Sequence, residues 1–277
     1  MIFYQRGVDG MAVIKELKTM DELAMVHDIE KEIWEQTPVP LHQTYTAVKN
    51  GGIMLGAFEG GDIVGFSYGF VGFKDGKTFL CSHMLGIRPA HRSRKIGEQL
   101  KWRQREIAIA KGYNLIRWTF DPLETRNAYL NLTKLNGICN TYIENCYGEM
   151  KDGINKGLPS DRFEVNWHLE SPHVSVRPRQ APEDAVPLNA VGENGSGLPV
   201  YTEGEVGDLD APAYALAVPK EFQQLKADDP GLALDWRMKT REKFGSLFTA
   251  GYSAVHLQPY EFHAEYVFVK TGDLRLE

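Results

Sequence analysis

Seven lysines and arginines (Arg88, Arg92, Arg94, Lys95, Lys101, Arg103 and Arg105) fall between Arg88 and Arg105 with a single acid, Glu98, among them, in a 277-residue chain of net charge −6. Positive charge gathered inside an acidic chain suits a specific anionic ligand better than a generally polyanionic partner. Phosphate is the leading candidate; for a charge run taken alone, a solvated basic helix face is the alternative. The stretch lies where an apolar strand, Cys81 to Ile87, passes through a basic loop, Pro89 to Lys95, into an amphipathic helix from Ile96. Backbone N–H groups at such a helix start lack intrahelical partners, and the positive end of the helix dipole stands behind them. These residues predict an anion cradle. No Gly-x-x-x-x-Gly-Lys-Ser/Thr occurs, which excludes a P-loop.

The turn Arg92-Ser93-Arg94-Lys95-Ile96-Gly97 resembles the Arg/Gln-x-x-Gly-x-Gly/Ala turn of the GCN5-related N-acetyltransferases (GNAT), which move acyl groups from coenzyme A onto amines. The resemblance implies that Arg92, Ser93, Arg94, Lys95, Ile96 and Gly97 bind the coenzyme's pyrophosphate. It also implies that the strand before them, at Leu85, Gly86 and Ile87, pairs with the pantetheine arm. Lys95 stands where the first glycine is usual. An L residue avoids positive φ, so the αR region is expected there, from which the lysine side chain adds a phosphate contact.

In the family a backbone N–H near the end of this strand, here near Ile87, polarises the thioester carbonyl, a contribution of about 3 kcal/mol when preorganised. The family's base position spans Cys81, Ser82 and His83, of which His83 alone has a pKa suited to accepting a proton near neutrality. Strand alternation turns His83 towards the core if Leu85 and Ile87 face it, unless a bulge intervenes. A hydrogen-bonded structural histidine is the competing reading.

Asn127-Ala128 followed by Lys134-Leu135-Asn136-Gly137 resembles the family's helix pattern, an Asn, an Ala and, further on, Tyr-x-x-x-Gly-Phe, which implies that Asn127 contacts the coenzyme. The position of that helix's acid tyrosine falls here on Leu132 or Thr133. Tyr129 on the same helix, and Tyr142 and Tyr147 beyond it, are candidate replacements and equally good core or interface residues. A departing thiol of pKa about 8.5 needs no strong acid. Trp118 to Leu123 and Gly157 to Phe163, with Ser82-His83-Met84 and Tyr147-Gly148-Glu149-Met150, look like segments of a bacterial subgroup of the superfamily. Arg162 has the fork geometry to clamp a substrate carboxylate, and Asp121 stands at a strand end beside the expected channel. A local Asp161–Arg162 turn and a helix cap are the alternatives for these two residues.

The hydrophobic content of 43% is that of an ordinary globular protein, and the net charge speaks against nucleic-acid binding. Cys81, Cys139 and Cys146, an odd number in a long chain, form no disulfide framework, and no Cys/His spacing suggests a metal. Met1 to Gly10 has no apolar core of signal-peptide length and no long apolar run follows, so a cytoplasmic protein without membrane contact is expected.

Apolar spacing and turn residues give a β-α-α-β-β-β-α-β-α-β-β order over residues 11–170. This predicts an α/β (α+β) GNAT-like domain with a mixed, mostly antiparallel sheet flanked by helices. Residues 178–210 read as a linker or long surface connection, and 211–277 as a small C-terminal α/β extension packing on the first domain. The expected activity is N-acyl transfer from acetyl-CoA, or another acyl-CoA such as succinyl-CoA, by direct attack of a small-molecule amine, an amino acid among the candidates. A non-catalytic coenzyme A-binding module and a protein or peptide acetyltransferase are the alternatives, and a homodimer is compatible with either.

Overall fold

The computed structural model describes residues 12–34, 37–148, 157–176, 182, 184–204 and 208–277. The readings at Met1 to Gly10 and at Glu149 and Met150 lie outside them. The chain divides into two compact units, Met1–Arg117 and Trp118–Glu277. Among the described residues no helix is long and apolar enough to cross a membrane.

In the first unit β1 (Val13–Glu16) leads into α1 (Met20–Trp34) through a capping box. Glu22 N donates to Thr19 Oγ1 (3.3 Å) and Thr19 N to Glu22 Oε2 (3.0 Å). Helix α2 (Leu41–Lys49) is followed by Gly51, whose φ of +100° turns the chain into β2 (Ile53–Glu59). Strands β3 (Asp62–Lys74) and β4 (Lys77–Ile87) form a long hairpin. Its turn sits at Asp75 and Gly76, both at positive φ, as the Asp-Gly pair predicts. Strands β1, β2, β3 and β4 are antiparallel neighbours in that order, and β4 runs parallel to β5 (Leu115–Phe120) at Leu80↔Ile116 and Cys81↔Arg117. Helix α3 (Ile96–Ala110) connects these last two strands. Leu23, Val26 and Ile29 of α1 and Val48 of α2 pack on Met54, Ile63, Phe66 and Tyr68 to form one core.

One irregularity in β4 decides where its side chains go. The register runs from Tyr68↔Met84 directly to Gly69↔Ser82, leaving His83 as an extra residue, a β-bulge. Before it, Leu80 and Ser82 face α3: Ser82 is hydrogen-bonded to an α3 glutamine, and a Cβ on Gly69 opposite would lie 3.3 Å from that glutamine's side chain. After it, Met84 packs in the α1 core, and a Cβ on Gly86 would lie 2.8 Å from Ile33 of α1. Alternation is thus reversed at His83.

The second unit opens with α4 (Thr125–Ala128), which runs on into a π-helical turn, Tyr129–Lys134. Strands β6 (Ile138–Ile143) and β7 (Arg162–His168) pair antiparallel, and the short α5 (Pro172–Ser175) follows. Residues 178–210, expected as a connection, carry β8 (Val186–Pro187) and a hairpin of β9 (Asn189–Glu193) with β10 (Pro199–Glu203). Asn189 anchors it: its amide donates to Ala217 O (3.0 Å) and accepts from Ala217 N (2.8 Å), a polar anchor that apolar periodicity does not reveal.

Strands β11 (Ala213–Pro219), β12 (Tyr252–Pro259) and β13 (His263–Lys270) complete this unit's sheet in the order β7-β6-β12-β13-β11-β8, with only the β8–β11 contact parallel. Asp229 and Pro230 separate α6 (Phe222–Asp228) from α7 (Pro230–Thr249), where Asp229 caps α7 by accepting from Leu232 N at 2.9 Å. Each unit is α+β with a mixed, mostly antiparallel sheet, as the pattern predicts.

Candidate active site

The loop between β4 and α3 begins with a 3-10 turn, Pro89–His91, and ends in two left-handed residues, Ser93 (φ +65°) and Lys95 (φ +60°). Lys95 is the N-cap of α3 and gives it no side-chain cap, so the amides of Ile96, Gly97 and Glu98 point out of the helix start without an intrahelical partner. The expected αR conformation of Lys95 is therefore corrected: the lysine adopts the glycine-like conformation the turn demands, at a cost of about 1–2 kcal/mol.

The seven cations do not act together. Arg88 pairs with Glu32, Arg94 with Glu59 (3.0 Å) and Arg103 with Glu106 (2.6 Å). Arg105 lies 5.6 Å from the Trp102 ring. Lys101 turns inward and is 2% exposed. Arg92, whose Nε donates to Ile87 O (3.3 Å), and Lys95 are left at the turn itself.

Lys101 belongs to a buried polar chain behind β4. Its Nζ donates to Ser82 Oγ (2.8 Å), Ser82 Oγ to Gln104 Oε1 (2.8 Å), and Gln104 Nε2 to Ser67 Oγ on β3 (3.0 Å). Burial pushes the Lys101 amine down to about 7, partly countered by Cys81. Apolar residues alone would place the buried stripe of α3 at Ile96, Leu100, Ile107 and Ile109; the buried face is Ile96, Leu100, Lys101, Gln104 and Ala108. Gln104 falls four residues after Leu100, so the helical period alone carried the signal, masked by residue polarity. Ser82, within the family's base position, is buried in this chain with both hydrogen-bonding roles taken.

His83 lies on the opposite face. Its ring meets Tyr68 (centroids 6.2 Å apart, 79° between planes) and Phe70 (5.6 Å, 62°). It is exposed, yet desolvation beside these rings pushes its pKa below the ordinary histidine value, so it is neutral at pH 7. The bulge, the stated exception to strand alternation, is present, and His83 does not share the face of Leu85 and Ile87. His83, Tyr68 and Phe70 share a pocket of about 820 Å³ whose opposite wall is residues 37–40 and α2. Two α1 side chains fix that wall: Val39 N donates to Glu30 Oε2 (2.8 Å), and His27 Nε2 pairs with Val39 O (3.1 Å). Sequence reasoning missed this wall, since nothing local to Val39 marks it.

In the second unit Asn127 is exposed and Tyr129 is half-buried with Lys134 Nζ 5.1 Å from its ring. Leu132 is fully buried, and Thr133 is tied to β12 by accepting from Leu257 N (3.1 Å) and donating to Leu257 O (2.9 Å). Tyr142 donates to Asp161 Oδ2 (2.6 Å), which with burial raises its pKa far above the tyrosine range and removes it as an acid. Tyr147 OH meets Thr119 Oγ1 at 2.8 Å.

Asp121 is committed on both oxygens: Oδ1 accepts from Leu123 N (2.9 Å) and Oδ2 from Arg237 Nη2. Arg162 is buried, donates to Asp161 O (2.8 Å), and stands 3.7 Å from Asp121. Asp161 in turn accepts two bonds from Arg241 (2.9 Å each).

Residues 17–131 match the model of the Acetyltransferase (GNAT) family, so that stretch of the chain is similar to this family. No curated protein sequence matches the chain. Among solved structures, it is similar to the ribosomal-protein-S18-alanine N-acetyltransferase from Escherichia coli at 13% identity and TM-score 0.46, covering 63% of this chain and 98% of that one. An acetyltransferase from Salmonella typhimurium solved with acetyl-CoA gives 14% identity and TM-score 0.47, over 58% of this chain and 95% of that one. A glucosamine N-acetyltransferase region of a fungal multi-domain GH3 β-N-acetylglucosaminidase gives 18% identity and TM-score 0.34, over 40% of this chain but 14% of that one.

Proposed function

We propose that the chain transfers an acetyl group from acetyl-CoA to the amine of a small molecule, with 11–170 as the catalytic region and 211–277 as its extension. The observation that carries this is the bare start of α3: outward amides at Ile96, Gly97 and Glu98 behind two left-handed residues, beside Arg92 and Lys95. This donor set fits a pyrophosphate, with fixed N–H dipoles supplying direction and two cations supplying charge. Ser93, Arg94, Ile96 and Gly97 hold the phosphates through backbone, and Leu85 to Ile87 orient the arm.

Acetyl-CoA supplies an activated acyl group. The chain's task is to present a neutral amine to it, to polarise the carbonyl through the N–H near Ile87, and to exclude water. At pH 7 an alkyl amine of pKa about 10.4 costs about 4–5 kcal/mol to deprotonate, so a base matters. His83, neutral and at the pocket wall, accepts that proton through its free ring nitrogen. The thiol leaves with a pKa low enough to need no side-chain acid, which agrees with a buried Leu132 and a tied Thr133.

Calorimetric titration with coenzyme A tests the reading directly. Micromolar to millimolar binding is expected; no heat across that range would sink it. Binding without thiol release over a broad amine panel would favour the non-catalytic module instead.

A further inference from the structure

The described lining of the His83 pocket carries no acidic side chain and no lysine or arginine, and its walls are made mainly by Pro38, Val39, Tyr68, Phe70, Val71 and His83. Its polar groups are uncharged and partly spent: Asn50 Nδ2 already donates to Thr46 O (2.8 Å). The cations of the neighbouring loop do not reach into it; Arg88 and Arg94 are held by Glu32 and Glu59. Glu30, the carboxylate behind the wall, is buried and engaged with Val39 N.

Such a lining discriminates by what it cannot satisfy. An acceptor carrying a carboxylate or phosphate would lose its hydration there and gain no cation in return. An amine on an apolar, preferably aromatic, body would instead bury its skeleton against Tyr68, Phe70 and the prolines. Its ammonium meets ring faces on arrival, a favourable contact for a cation. Desolvation in the same surroundings lowers the ammonium's pKa and so lightens the demand on His83. We infer that the acceptor is an apolar, aryl- or alkyl-substituted primary amine without an acidic group, and that free amino acids are poor acceptors.

This inference rests on the acetyltransferase reading above, and its test separates the two. The probes are 2-phenylethylamine and phenylalanine, which differ only by the carboxylate, each assayed with acetyl-CoA for thiol release and, without it, for binding by calorimetry. The expected result is a kcat/KM for the amine about 100-fold above that for the amino acid, with a matching preference in binding. Val71→Arg, which places a cation at the pocket rim, should narrow the ratio at least tenfold, by about the strength of one charge pair.

Equal or reversed preference, or no response to either probe in protein that binds coenzyme A, overturns the inference. If coenzyme A does not bind, the acetyltransferase reading falls, and binding of the two probes alone still decides the pocket's preference: selective uptake of the amine upholds it, indifference overturns it.

Discussion

Lys101 reaches from the buried face of α3 to Ser82, the residue just before the β4 bulge, with 2.8 Å between Nζ and Oγ. Burial is the dominant influence on this amine and favours its neutral form. The bond therefore ties helix and strand by a polar contact whose strength depends on pH.

The sign of that dependence follows from the shift. With a folded-state pKa of about 7 against an ordinary 10.5, the unfolded chain carries one more proton throughout that interval. Stability should rise with pH from about 7 to about 10.5, through this group. Lys101→Met should lack that component while keeping every other titration. Melting temperatures of both proteins measured across the interval check it; parallel curves would show that Lys101 is not buried neutral.

Lys95→Gly should raise stability by about 1 kcal/mol, by relieving the left-handed conformation net of the added chain entropy. Coenzyme A affinity should fall a few-fold with the lost charge. Opposite movements of melting temperature and calorimetric affinity would confirm that strain and ligand contact reside in one residue. Lys95→Val, forced into the same φ, should lower the melting temperature.

Coenzyme A should raise the melting temperature of the wild-type protein, and Arg92→Ala should remove most of that rise with little change in the unliganded midpoint. An undiminished rise would exclude Arg92 from the phosphate site.

Rate should report the state of His83. Since its pKa lies below the usual 6.5 and the base acts when neutral, kcat/KM should hold near pH 7 and fall on acidification below that value. His83→Ala should cost about 10²–10⁴-fold in kcat and abolish that acid limb. A variant that keeps the limb would assign it to another group.

In the second unit, Asp121→Asn should destabilise by about 3–5 kcal/mol, because Arg237 is 1% exposed and its Nε and Nη1 already lack partners among the described residues. Adding Arg237→Met should recover much of the loss. Denaturant titrations of the single and double variants measure both.

The strand, basic turn and helix at the centre of the site were legible because each is a local pattern: an apolar strand, clustered cations and an amphipathic helix. What escaped depends on partners distant in sequence. The bulge at His83 exists only in register with Tyr68 and Gly69, and the burial of Lys101 is decided by Ser82 across the packing layer. Ion pairs from Glu32 and Glu59 neutralise cations that composition counts as available. Polarity at Asn189 concealed a hairpin because its amide does the anchoring an apolar side chain would otherwise do.

The extra residue in β4 also lets two neighbouring side chains serve one face. Ser82 stands opposite Gly69 and Met84 opposite Tyr68, so His83 and Met84 both turn away from α3, His83 into the pocket and Met84 into the α1 core. Deleting His83 would restore regular alternation and leave Ser82 beside Lys101 and Met84 in its core. The strand would keep its packing and lose the imidazole. The bulge is thus an insertion that presents a side chain to the pocket without displacing one from the core.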